Sequence, residues 1–356
     1  MQPKKIAIFS KGAKTPLHPR IELEIQLLED EGHSVELFSP STATSTVKHR
    51  LLKLLSLSLF EWEIIHQFQP HVANFDTVII YDSQLLPLSA ARKKHQTVIF
   101  ETLDDNIELI VYHVFKKLPL LAFLKNVCRF YLKQKERFYL NRFVDKTIVN
   151  SERLTEVFKE QKAVLNYYSS PFEGLTLNQN AEKTAFLYLG KISLDKGIKT
   201  MLLLAKQFEI PIYLFGDFDK AEQKELHQLI SNCKLAIHQP KMAIPALKDK
   251  LKELSQNYRL IGLSLIESVH ISYQFQDANK DIDYIALGIP FVGNERPTTK
   301  KIIDAGCGVL IQNDKNIKCL INEKEKYNFA STNCAAHYQR NFSQKAFSKI
   351  FLTEVN

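Results

Sequence analysis

Short apolar runs alternate along the chain with stretches whose apolar residues recur every three to four positions, the alternation that builds a parallel sheet flanked by helices. Residues 4–10 (KKIAIFS) form the first run. A loop with Gly12, Pro16 and Pro19 follows, then an amphipathic helix over 20–32 closed by Gly32, then a strand over 34–39. Further strands are predicted at 77–81 (TVIIY), 97–101 (TVIFE) and 147–150 (TIVN). Between 164 and 183 the periodicity lapses and Ser, Pro, Gly and Asn accumulate, as in a connection between domains. A second alternating set begins at 184 (TAFLYLG), with helices over 197–208 and 220–233 and strands at 210–215, 234–237, 260–265 and 291–293. The pattern predicts two successive parallel α/β domains.

A chain of 356 residues is long enough for two such domains, each with its own core. At 45% hydrophobic and 24% charged residues, it belongs with folded chains and not with disordered, collagen-like or coiled-coil ones. It has no run of 18 apolar residues, and the apolar stretch ending at Phe9 is too short for a secretory signal, so a cytoplasmic protein is expected. The cysteines, Cys128, Cys233, Cys307, Cys319 and Cys334, are odd in number and never spaced C-x-x-C, which argues against a disulfide framework and a zinc ribbon. The net charge of +8 is concentrated: between 110 and 142 eight basic residues stand against one acid, Glu136. That makes a basic patch, not a diffuse field for any polyanion.

The usual cofactor and catalytic strings are missing. There is no G-x-G-x-x-G in the first loop, no G-x-x-x-x-G-K-[ST], no H-E-x-x-H, no G-x-S-x-G and no kinase signature set, which argues against a dehydrogenase, a P-loop NTPase and a zinc hydrolase. Two segments stand out instead, FLYLGKISLDKGIKTML at 186–202 and DANKDIDYIALGIPFVGN at 277–294. Gly190, Lys191, Lys196 and Gly197 in the first, and Asn279, Lys280, Asp283, Tyr284, Ala286, Gly288 and Pro290 in the second, resemble the donor-site motifs of nucleotide-sugar-dependent glycosyltransferases of the B-type fold, especially the retaining, family 4-like enzymes that build bacterial surface glycans. Weaker echoes include Pro19-Arg20, Gly32-His33, FETLDDN at 100–106, VDKTIVNSERL at 144–154 and LNYY at 165–168.

The resemblance implies two Rossmann-like, doubly wound domains facing a cleft: residues 1–165 for the acceptor, 166–336 for the nucleotide sugar, and a C-terminal helix over 337–356 returning to the first domain. It implies retention of anomeric configuration, no metal and no cofactor, the nucleotide sugar being substrate. Gly12, Gly190, Lys191, Lys196, Asn279, Lys280 and Asp283 are then the donor-binding set. The physics agrees, because a loop opening a helix offers free N–H groups and a positive dipole end to a diphosphate, and two lysines add charge there. Read without the resemblance, Lys191 and Lys196 are solvated lysines flanking a turn, and Gly12 is equally an ordinary turn glycine. Asp283 stands where the family has a glutamate accepting from the ribose hydroxyls, for which a carboxylate supplies two acceptors. A second family glutamate, eight positions earlier, is Phe275 here.

Asp104 and Asp105 follow a predicted buried strand and are expected to bind the acceptor, with helix capping as the alternative. The histidine many relatives carry near this point is absent before His113, so no catalytic residue is assigned. Two D-x-D strings, Asp217/Asp219 and Asp281/Asp283, are weak metal signals, and the latter pair faces different directions on a helix. Lys125, Arg129, Lys133 and Arg137 recur every four residues amid Leu118, Leu120, Leu121, Phe123, Leu124, Phe130, Tyr131, Phe138 and Tyr139. This stripe is expected to face an anionic inner-membrane surface, the alternative being a packed helix with a solvated basic face. No nucleic-acid motif accompanies it. The expected activity is sugar transfer to a glycan or lipid-linked acceptor. The alternatives are a nucleotide-sugar epimerase and an inactive relative that binds nucleotide sugars or partners.

Overall fold

The computed structural model describes residues 2–12, 17–40, 59–117, 119–267 and 279–356. The chain divides into two compact units, Met1–Tyr167 with Phe347–Asn356, and Tyr168–Ala346.

In the first unit β1 (Lys5–Phe9), β2 (Ser34–Phe38), β3 (Thr77–Tyr81), β4 (Thr97–Thr102), β5 (Lys146–Val149) and β6 (Val164–Leu165) form one sheet in the order β2-β1-β3-β4-β5-β6. Every pairing is parallel. Its central strands are apolar throughout because both faces are covered. Ala7, Phe9, Val78, Ile80, Val98 and Phe100 point to one core, closed by the helices Trp62–Val72 and Lys125–Phe143. Ile6, Ile8, Ile79, Tyr81, Ile99 and Ile148 alternate to the other, where the helix Pro19–Asp30 packs.

The C-terminal helix lies on this second face through Phe347, Phe351 and Val355. The single terminal helix expected over 337–356 is in fact the end of one, Lys324–Asn341, and the whole of another, Gln344–Val355. They part at Phe342-Ser343, where the Ser343 hydroxyl accepts the Ala346 N–H (3.3 Å) as a new N-cap. Val164–Leu165, inside the stretch read as a connection, pairs with β5 as the sixth strand.

Arg20, at the start of the first helix, is 1% exposed. Its guanidinium lies between Glu24 (Nε to Oε1 3.1 Å) and Glu101, donates to the Asn166 carbonyl (2.9 Å) and sits 4.9 Å over the Phe347 ring. One cation thus serves two buried carboxylates. Burial, then the neighbouring Glu101, pushes the Glu24 carboxyl well above the usual range.

In the second unit β7 (Lys183–Leu189), β8 (Ile212–Phe215), β9 (Ala236–Gln239), β10 (Tyr258–Ser264), β11 (Phe291–Gly293) and β12 (Gly308–Leu310) form an all-parallel sheet in the order β12-β11-β10-β7-β8-β9. The last strand was not expected from the sequence. Its three residues are bounded by glycine and a polar turn, too short for a run to register.

Candidate functional site

An open α/β sheet binds ligands where its strand order reverses, beyond the carboxyl ends of the strands. In the second sheet that point lies between β7 and β10. The β7 loop begins with Gly190 (φ +126°), and a Cβ placed on Gly216 after β8 would fall 1.9 Å from the Gly190 carbonyl oxygen. The two loops therefore touch backbone to backbone. A 3-10 turn, Leu194–Lys196, then leads through Gly197 (φ +73°) into the helix Ile198–Phe208. A Cβ on Gly197 would come 2.7 Å from the Leu265 Cβ, so glycine lets the helix N-terminus settle against the end of β10.

The helix Asn279–Ala286 is pinned to the same point by Tyr284. Its hydroxyl lies 3.1 Å from the carbonyls of Leu187 and Leu263 and accepts the Leu189 N–H at 3.2 Å, and its ring fills the space that Gly262 leaves. This anchoring brings Lys280 over β7. The Lys280 Nζ sits 4.4 Å from the centre of the Tyr188 ring and 3.3 Å from its hydroxyl, which donates to the Lys191 carbonyl at 2.7 Å. Lys280 as a residue is partly exposed, but its ammonium end is enclosed. Burial first, then the charges of Lys196 and Arg296, hold it well below the usual lysine range.

Lys191 itself is 61% exposed and paired with Asp219. Asp281 is buried and binds Arg296 (3.0 Å), with Ser264 and Thr299 also donating to it. Asp283 points elsewhere, accepting from the Ser170 hydroxyl at 2.7 Å and from Tyr168. Burial lifts its carboxyl to about 7 against those donors. The two aspartates thus diverge, and Asp217 takes the Lys241 N–H (3.1 Å).

Gly190, Lys191, Lys196 and Lys280 of the expected set are therefore gathered at one edge, with Asn279 opening the helix, whereas Asp283 on that helix is turned to Ser170. Phe275 lies outside the described residues. Arg296 is the residue sequence reasoning missed. It is 2% exposed, its Nη2 holds Asp281 and Ser264 (2.7 Å), and its Nε and Nη1 are buried without a partner among the described residues. The available signal was its place, three residues beyond the strand at 291–293.

In the first unit the order reverses between β1 and β3. Ser10, Lys11 and Gly12 lie there, with Lys11 paired to Asp82 at 3.6 Å. Gly12 is exposed, its N–H donates to the Ser10 hydroxyl (3.1 Å), and its backbone is not left-handed, so the conformation itself does not require glycine. Asp105 caps the helix Asn106–Lys117 by accepting the Glu108 N–H (3.1 Å), the alternative weighed for it. Asp104 accepts the Thr102 hydroxyl on its carbonyl at 2.8 Å.

Three residues of the basic stripe, Arg129, Lys133 and Arg137, are engaged from within the unit. Arg129 binds Glu108 (3.0 Å), Lys133 lies 3.5 Å from Glu108 and 3.9 Å from Asp105, and Arg137 is 3.6 Å from Glu160. The helix also turns apolar residues outward: Val127 is 63% exposed, Phe130 66% and Phe138 52%, with Phe123 in the preceding turn at 75%. Lys135 stacks over Tyr131 and Arg142 over Phe138 beside them. The side chains of 116–121 lie outside the description.

No protein-family model and no curated protein matches the sequence. Solved structures do. HepE of Anabaena in complex with UDP-glucose aligns over 98% of both chains at a TM-score of 0.64 and 14% identity. Sucrose-phosphate synthase of Thermosynechococcus elongatus aligns over 97% of this chain and 96% of its own at 0.69 and 15%. WaaG, a glycosyltransferase involved in lipopolysaccharide biosynthesis, aligns over 98% of both at 0.63 and 10%. The chain has the two-Rossmann, B-type glycosyltransferase fold. No helix among the described residues is long and apolar enough to cross a membrane.

Proposed function

We propose that the chain transfers a sugar from a nucleoside-diphosphate sugar to a glycan or lipid-linked acceptor, with retention and without a metal. The observation that carries this reading is the cluster of Lys196, Lys280 and Arg296 at the carboxyl edge of the second sheet, beside the N-terminus of Ile198–Phe208. Three cations and free helix N–H groups suit a diphosphate, both bound and as leaving group. Lys191, exposed and paired with Asp219, adds a further charge at the rim. Asp283 supplies ribose acceptors once Ser170 and Tyr168 yield it. The acceptor falls to the first unit, with Asp104 and Asp105 at the end of β4. Association with an anionic membrane is supported by the outward aromatic stripe Phe123, Val127, Phe130 and Phe138 flanked by Lys135 and Arg142.

The test is a melting panel with nucleotides and nucleotide sugars, with and without EDTA, since a ligand of the folded state raises Tm. One nucleotide class should stabilise the chain, insensitive to EDTA, and Lys196→Ala should abolish both the shift and transfer. Stabilisation without turnover on any glycan acceptor would favour the second reading, a nucleotide-sugar-binding protein without activity. That reading draws on Asp283 being held by Ser170.

A further inference from the structure

The helix that brings Lys280 onto Tyr188 carries Asp283 about one turn further on. Its carboxylate is held from outside the helix. It accepts the Ser170 hydroxyl at 2.7 Å and the Tyr168 hydroxyl, both residues buried where the chain enters the second unit. That entering segment has its own anchors. The Ser170 N–H donates to the Tyr338 hydroxyl at 3.2 Å, the Ser169 hydroxyl lies 3.2 Å from it, and the Ser170 oxygen accepts the Phe172 N–H at 3.2 Å. Tyr338 in turn donates to Glu173 at 2.8 Å, and Glu173 accepts the Gln344 N–H at 2.7 Å. These bonds keep Ser169 and Ser170 in place whatever Asp283 does. The aspartate stem is short, so a step of its first torsion between staggered positions takes the carboxylate off both hydroxyls at once.

We propose, resting on the donor reading above, that Ser170 and Tyr168 are specificity-determining residues of the donor site: they occupy the Asp283 carboxylate in the empty protein, and the ribose hydroxyls of a nucleoside diphosphate replace them on it. The two adjacent hydroxyls of a ribose offer the same pair of O–H donors, so the exchange leaves no acceptor oxygen empty. What the ribose adds to affinity is then a difference between two pairs of like bonds, and it stays small while both protein hydroxyls are present. Removing one of them leaves the enclosed carboxylate lacking a donor in the empty protein, a lack that the ribose makes good. The ribonucleotide therefore binds more tightly to such a variant. A nucleotide without ribose hydroxyls leaves Asp283 in the same state before and after binding and gains nothing. A merely structural role for Ser170 and Tyr168 would instead shift both nucleotides by the same factor.

The experiment is titration calorimetry of the full chain with UDP, GDP and ADP, then with the dideoxy counterpart of the nucleotide that binds, which lacks both ribose hydroxyls. A pH of about 8.5 keeps a carboxyl lifted to about 7 ionised. The ratio of the dideoxy Kd to the ribonucleotide Kd is read in wild type, Ser170→Ala and Tyr168→Phe, with Tm measured to confirm folding. Tyr168→Phe loses a hydroxyl and little volume, and it carries the test by itself if Ser170→Ala does not fold. The ratio should rise about tenfold in each folded variant, through a tighter ribonucleotide and a nearly unchanged dideoxy nucleotide. A ratio that stays constant or falls overturns this inference and leaves nucleotide binding standing. Binding of none of the three nucleotides to the wild type overturns the donor reading and this inference together.

Discussion

Replacing Asp283 by asparagine should stabilise the protein at alkaline pH while abolishing the proposed transfer. The carboxyl is enclosed beside Asp281, and burial raises it from its ordinary 3.8 to about 7. In the unfolded chain it returns to the ordinary value. Between these two values the folded state holds a proton that the unfolded state does not, so stability falls as pH rises through the window, and the loss is complete above about 7. At about 1.4 kcal/mol per pKa unit the full window is worth about 4 kcal/mol, and the part between pH 5 and 8 about 3 kcal/mol. Asparagine keeps an acceptor for the Ser170 hydroxyl and cannot ionise. Urea unfolding of wild type and Asp283→Asn at both pH values isolates the effect, because other buried acids, such as Glu136 at about 7, change equally in both proteins and cancel. The stability difference should move in favour of the variant by about 3 kcal/mol from pH 5 to pH 8. A difference that stays constant with pH would refute the argument, and gained stability with undiminished transfer would remove Asp283 from the donor site.

Gly197→Ala combines a left-handed φ of +73° with a Cβ 2.7 Å from that of Leu265. It should cost about 2–4 kcal/mol in denaturant unfolding and lower nucleotide affinity, because the helix N-terminus must back away from β10. Arg296→Met leaves Asp281, 1% exposed, buried without its cation. A loss of about 3–5 kcal/mol is expected, and adding Asp281→Asn should recover most of it. Phe130→Ser with Phe138→Ser should change Tm little, these residues being exposed, yet reduce co-sedimentation with vesicles containing anionic lipid. Unchanged sedimentation would remove the membrane from the proposed function.

The strands of both sheets were legible because they are buried on two faces. TVIIY and TAFLYLG carry apolar residues at nearly every position, and a continuous run bounded by turns survives any register. Val164–Leu165 and Gly308–Leu310 escaped because two or three residues carry no period at all. The same contrast separates the site residues. Lys191, Lys196 and Lys280 lie in segments whose glycines and prolines fix their place, and Gly190 and Gly197 hold left-handed or close-packed backbone that glycine alone tolerates. Arg296 has no such punctuation beyond the proline after it. What makes it part of the site is Asp281, fifteen residues earlier in the chain, and the β10–β11 pairing that sets the two side by side.

The basic helix shows where periodicity stops informing. A four-residue spacing places Lys125, Arg129, Lys133 and Arg137 on one face, but the spacing is the same whether that face meets water, lipid or another helix. The choice is made by tertiary partners. Asp105 and Glu108 open the helix after β4, and the parallel pairing of β4 with β5 obliges the chain to cross back along that helix, delivering Arg129 and Lys133 to their carboxylates. Those two carboxylates offset only part of the excess positive charge counted in the sequence. Rotating the basic face toward the unit turns Phe130 and Phe138 out of it. A membrane that binds here is held by inserted aromatic rings with Lys135 and Arg142 at their edge, and its affinity should therefore weaken less with salt than a bare lysine stripe would predict.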